Sequence, residues 1–128
     1  MKEITNVRQH PSEHRRRWFC DEDFELIVWF EEPDRIIMFE LSYDLQGDWR
    51  ALRWREASGF AHFTVDDGED RPHRNAALML RPNLKVPPKE LFEAFESSSE
   101  SLYPELARFV RTMLFEYRAL LFVDRDRP

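Results

Sequence analysis

In the stretch FELIVWFE, Phe24, Leu26, Val28 and Phe30 alternate with Glu25, Ile27, Trp29 and Glu31. A period of two is the mark of a strand whose two faces meet different surroundings. Glu32-Pro33-Asp34-Arg35 follows as a turn, proline supplying the fixed φ of a central position. The next run, Ile36 to Tyr43, carries Ile37, Phe39, Leu41 and Tyr43 on one side. A turn centred between Pro33 and Asp34 places these opposite Phe30, Val28, Leu26 and Phe24. A second turn around Gln46-Gly47 returns the chain through Trp49 to Glu56, with Leu52 opposite Leu41 and Trp54 opposite Phe39. A third turn at Ser58-Gly59 predicts Phe63 against Trp54 and Val65 against Leu52. Three turns placed independently thus give one apolar face, and that consistency supports all the strands at once.

Asp67-Gly68 is a fourth turn signal, with a short fifth strand expected over Ala76–Leu80 and a further strand around Trp18-Phe19-Cys20. Pro87-Pro88 opens a helix over Lys89–Glu96, and the serine-rich SSSES forms a joint. From Pro104 to Leu121, Leu106, Phe109, Val110, Met113, Leu114, Tyr117, Leu120 and Leu121 recur at spacings of three and four, the stripe of an amphipathic helix. Such a stripe needs a partner, and the apolar sheet face has the matching size. The expected fold is therefore two-layer α+β: an antiparallel meander of four to six strands, with C-terminal helices on the face bearing Val28, Phe39, Leu52 and Phe63. Residues 1–128 read as a single domain, with a basic leader over 1–16 and a tail over 124–128 expected to be poorly ordered.

Composition sharpens this picture. The 34% charged fraction resembles that of a disordered chain, but 42% hydrophobic content with eleven Phe, four Trp and three Tyr supplies a core for 128 residues. Cys20 is the sole cysteine, which excludes an internal disulfide and a cysteine-based zinc site and points to a reducing compartment. Neither a signal-peptide core nor a run approaching the ~18 apolar residues of a membrane span is present, so a soluble cytoplasmic protein is expected, without membrane partners. Residues 1–17 hold Lys2, Arg8, Arg15, Arg16 and Arg17 against Glu3 and Glu13, a local +3 that leaves −9 for the rest of a chain of net charge −6. That body would repel a polyanion, and Arg15-Arg16-Arg17 has no aromatic interleaving, which argues against nucleic acid.

The same registers write out the other face of the sheet. Glu40 falls opposite Arg53, Arg55 opposite His62, and Met38 beside Arg55, with Thr64 beside Arg53 and Asp66 ending the row. Trp29 and Ile27 join from the first strand. An ordinary solvated face accounts for the opposed charges, but Trp29, Ile27, Met38, Ile36 and Phe60 make it more apolar than solvent alone requires, which is how a partner surface reads. A chemical reading is also open. His62 would act as general base or metal ligand, Asp66 as its orienting carboxylate, and Arg53 with Arg55 as a clamp for a small anion, His73 folding back as a further ligand.

The spacing signature for that chemistry is weak. Asp66-Asp67-Gly68-Glu69-Asp70 lacks the alternating ligands and closing glutamate of an EF-hand, and the chain contains no HExxH, GxSxG or Walker-type motif. No cofactor is expected. Asp67-Gly68 as a hairpin turn, with Arg71 and Arg74 offsetting the acidic run, explains the same residues more simply. Cys20 reads as a small buried hydrophobe.

The segments RRWF, DFELIVWF, PDRIIMFELSYD, ALRWRE and GFAHFTVDDGED, spread over about residues 16–70, together resemble a family of small uncharacterised bacterial proteins. The resemblance implies a small bacterial cytoplasmic protein. It carries no catalytic residue to any position, the family having no assigned activity. The leading expectation is then a non-enzymatic interaction module that meets a protein partner or a second copy through Trp29, Glu40, Arg53, Arg55 and His62. The alternative is a metal- or anion-binding enzyme around His62, Asp66, Arg53 and Arg55.

Overall fold

A computed structural model describes residues 1–9, 13–44, 49–66, 79–82 and 89–126. The Gln46-Gly47 and Asp67-Gly68 turns, His73, and the first part of the expected fifth strand lie outside the described residues. The chain forms two compact units, one of residues 3–84 and one of residues 1–2 with 85–128.

The first unit is built on a sheet of seven strands in sequence order, antiparallel from β2 to β7: β1 Lys2–Ile4, β2 Arg15–Cys20, β3 Phe24–Glu31, β4 Arg35–Tyr43, β5 Arg50–Arg55, β6 Gly59–Asp66 and β7 Met79–Pro82. With the helices α1 (Lys89–Ser98) and α2 (Pro104–Asp126), this is the α+β class that the alternation pattern predicts. The count exceeds the expected four to six by one because Lys2–Ile4 of the leader forms β1, while β2 is the strand expected around Trp18-Phe19-Cys20, begun at Arg15.

One face holds the apolar set. Phe24, Leu26 and Val28 pair across β3–β4 with Tyr43, Leu41 and Phe39, which pair in turn with Arg50, Leu52 and Trp54 of β5. Leu26, Val28, Phe39, Leu41 and Leu52 are each 0% exposed, and full burial of such side chains is worth about 1.5–3 kcal/mol apiece. Near the β3–β4 hairpin the register slips, so that Phe30 faces Ile36 and not Ile37. The loop holds three residues, Glu32–Asp34, one fewer than the centred turn requires, and the surplus residue is taken up as a bulge. The β2–β3 turn is tied by Asp21, whose Oδ1 accepts the backbone N–H of both Asp23 and Phe24 at 2.9 Å.

The β5–β6 register differs from the sequence expectation. Trp54 faces Phe60, Leu52 faces His62 and Ala51 faces Phe63, so neither Phe63 against Trp54 nor Arg55 opposite His62 occurs. The turn is Glu56–Ser58, closed by Ser58 N–H donating to Arg55 O at 3.2 Å, and Gly59 follows at φ +85° as the first strand residue. Three-residue hairpins place a left-handed residue at that point. The pairing is therefore three residues from the expected one, and an odd shift exchanges the faces of the whole strand. His62 joins the buried face at 5% exposure, while Phe63 turns to the other face and is half-buried. Thr64 faces Arg50 and does not stand beside Arg53.

In the second unit, α2 buries Leu106, Val110, Leu114 and Tyr117, spaced at four, four and three, and α1 buries Leu91 and Phe95. Leu120, assigned to that stripe by spacing, is 51% exposed. Phe92 and Phe115 stack at 5.0 Å, with the Arg118 guanidinium 5.3 Å from the Phe92 ring centre. The helix continues beyond Leu121 to Asp126. Met1 is buried, and its nitrogen donates to Ser98 O at 2.5 Å and to Ser101 Oγ at 2.9 Å.

Candidate functional site

Strand alternation places two cross-strand rows on the face opposite Phe39 and Leu52. The first runs Arg16, Trp29, Met38, Arg55 across β2 to β5, and the second runs Trp18, Ile27, Glu40, Arg53, Ala61 across β2 to β6. Four of the five expected binding residues, Trp29, Glu40, Arg53 and Arg55, are thus brought together, while His62 is not. Alternation in FELIVWFE and RIIMFELSY positions Trp29 and Met38, and the β4–β5 pairing brings Arg53 and Arg55 alongside.

Within this face the charges divide into two kinds. Arg53 donates from Nε at 3.0 Å and from Nη2 at 2.8 Å, both to Glu40 Oε2, and the two side chains are only 27% and 17% exposed. The same guanidinium lies 5.6 Å from the centre of the Phe63 ring. A partly buried pair of this kind is closed on itself, because a ligand anion would have to displace Glu40 and leave a carboxylate stranded. Arg16 and Arg55 differ. Neither meets a carboxylate among the described residues, whereas Arg15, Arg17 and Arg35 meet Asp34, Glu3 and Glu56. Arg16 Nη2 donates to Arg8 O at 3.2 Å, and Arg55 is exposed.

The backbone of Arg16 is held by a side chain. Gln9 Oε1 accepts its N–H at 3.0 Å and Gln9 Nε2 donates to its carbonyl at 2.7 Å. The carboxamide thereby stands in for a neighbouring strand at an edge that would otherwise expose both groups. Beside it lies an open groove of ≈ 230 Å³ lined by Glu3, Thr5, Val7, Gln9 and the three arginines of β2. Arg17 grips Glu3 there with two bonds of 2.8 and 2.6 Å, which holds the Glu3 carboxyl below its usual range.

His62 lies on the buried face. Its Nε2 is 2.7 Å from the hydroxyl of Tyr43, and the two rings stack at 6.0 Å. Asp66 ends β6 opposite Met79, and the placement of its side chain lies outside the description. Among the described residues no group of three or more His, Cys, Asp or Glu side chains could hold a metal ion, and no helix is long and apolar enough to cross a membrane. Cys20 pairs with Glu25 across β2–β3. Burial, then the negative charges of Glu25 and Asp21, push its thiol above the ordinary value, so the thiolate needed for nucleophilic attack is scarce at neutral pH.

Sequence reasoning missed Arg16, Trp18 and Phe63 as members of the face. The apolar run at Trp18-Phe19-Cys20 was a usable signal for the first two, but Phe63 required the true β5–β6 register.

No protein-family model matches the chain, and no curated protein or solved structure does either.

Proposed function

We propose that this chain is a non-enzymatic interaction module that engages a protein partner through the sheet face carrying Trp29, Met38, Arg16 and Arg55. The supporting observation is the central pair of that first row. Trp29 and Met38 face each other across β3–β4 and are both half-buried, so two large apolar side chains border solvent on an ordered sheet. Tryptophan, methionine and arginine are the residue types that interfaces enrich. The enzymatic alternative around His62, Asp66, Arg53 and Arg55 has less support, because His62 hydrogen-bonds Tyr43 on the other face and Arg53 is closed onto Glu40.

A photoreactive amino acid placed at Met38 in living cells tests the reading, with the same group at exposed Thr112 as control. The expected outcome is a discrete adduct from position 38, absent from position 112 and lost when Trp29→Asp is added. Identical adducts from both positions, or none from position 38, would remove the proposal. The adduct's mass separates a foreign partner from a second 15.6 kDa copy.

A further inference from the structure

We infer that the occupant of this face is an extended acidic segment of another protein, with two carboxylates bracketing one apolar side chain. The inference rests on the interaction-module reading and names its partner. Arg16 and Arg55 end a row whose middle is Trp29 and Met38, and both guanidinium groups lack a carboxylate among the described residues. Neighbouring arginines at the same strands are satisfied: Arg15 by Asp34, Arg17 by Glu3, Arg53 by Glu40. In a chain of net charge −6 with carboxylates in excess, two guanidinium groups that meet no carboxylate among the described residues, at the ends of one apolar row, form a charge pattern that a partner can complement.

A second copy complements it poorly. Face-to-face packing about a two-fold axis along the strands would lay each row on its own reverse, setting Arg16 against Arg55 of the other copy. An axis across the strands set over the Trp29 row would stack Arg16 on Arg16 and Arg55 on Arg55, and one set over the Ile27 row would lay the Trp29 row on the row Cys20, Glu25, Ser42, Ala51. There Ser42 is 2% and Ala51 0% exposed, so the surface to be covered is already closed. Nucleic acid would match the two arginines but meets the field of the acidic body.

The geometry specifies the segment. Arg16 and Arg55 stand three strand spacings apart, about 14 Å, and an extended chain covers about 13 Å in four residues. Residues i, i+2 and i+4 of an extended chain point to one side. Acidic residues at i and i+4 therefore reach the two guanidinium groups, while an apolar residue at i+2 meets Trp29 and Met38.

The test is selection of a random seven-residue display library on the immobilised full-length chain, followed by titration of the enriched peptides in solution. Enriched sequences should carry Asp or Glu four residues apart around an apolar residue, and Arg55→Glu should weaken them by roughly tenfold or more. Selection on Arg55→Glu should exchange one acidic position for a basic one. Both arginine variants are at or near the surface, and thermal melts matching the parent establish that they fold. Enriched peptides that depend on Trp29 but are neutral or basic, or are indifferent to Arg16→Glu and Arg55→Glu, would overturn the inference and leave the interaction face standing. Binding of an oligothymidylate that Arg16→Glu abolishes would overturn it in favour of nucleic acid. If neither the selection nor the Met38 cross-link depends on Trp29, the face reading falls with it.

Discussion

The hydroxyl of Tyr43 and Nε2 of His62 lie 2.7 Å apart on the buried face of the sheet, with the two residues 2% and 5% exposed. A polar group taken out of water must find a partner in the protein, and these two are bonded to each other. The Tyr43→Phe variant keeps the ring and removes the hydroxyl, leaving Nε2 without that bond. Urea denaturation should show a loss of about 1–3 kcal/mol. No measurable loss would mean that the hydrogen bond contributes nothing to folding.

The two phenylalanines that sequence reasoning placed on the same face should behave differently. Phe39 is 0% exposed and Phe63 is half-buried beneath Arg53. Phe39→Ala should cost about 3–5 kcal/mol, and Phe63→Ala distinctly less. Chemical denaturation of the two variants side by side checks this, and equal losses would contradict the β5–β6 register.

Gly59 sits at φ +85°, in the region that side-chain-bearing residues avoid. A Cβ built there meets nothing within 4 Å, so the cost of Gly59→Ala is conformational and not steric. It should amount to about 1–2 kcal/mol. Gly59→Asn should recover part of it, because asparagine tolerates the left-handed region better than alanine. Thermal melts of the pair read the difference.

Glu3 and Arg17 make stability depend on pH. The double hydrogen bond from Arg17 lowers the folded-state pKa of Glu3 below its ordinary 4.5, against the smaller opposing effect of burial. The resulting stabilisation is fully present above the unfolded value and is lost as pH falls through the lowered folded value. The stability difference between the parent and Glu3→Gln should therefore be largest near neutrality and vanish in acid. With side chains 35% and 32% exposed, the effect should also shrink with added salt. A difference that persists at low pH would indicate a contribution other than the ion pair.

Alternation alone determined much of this protein. The period-two runs from Phe24 to Phe30 and from Phe39 to Tyr43, joined at Pro33, set the β3–β4 register over most of its length and carried it to Leu52 and Trp54. The three- and four-residue spacing of Leu106, Val110, Leu114 and Tyr117 likewise marked the buried side of α2. These features were legible because each rests on neighbours a few residues away. The face of β6 was not legible, since the apolar residues Ala61, Phe63 and Val65 form the more hydrophobic of its two parities and so pointed inward. Tertiary structure decided otherwise: Gly59 took the left-handed position after a three-residue turn, and Tyr43, nineteen residues from His62, supplied the partner that lets a histidine be buried. The candidate site divided in the same way. Trp29, Met38, Glu40, Arg53 and Arg55 follow from local registers, whereas Arg16 required β2 to pair with β3 and His62 left the face with the strand that carries it. Periodicity reports which side of its own strand a residue occupies. Which side faces inward depends on hydrogen-bond partners and turn conformations distant in sequence.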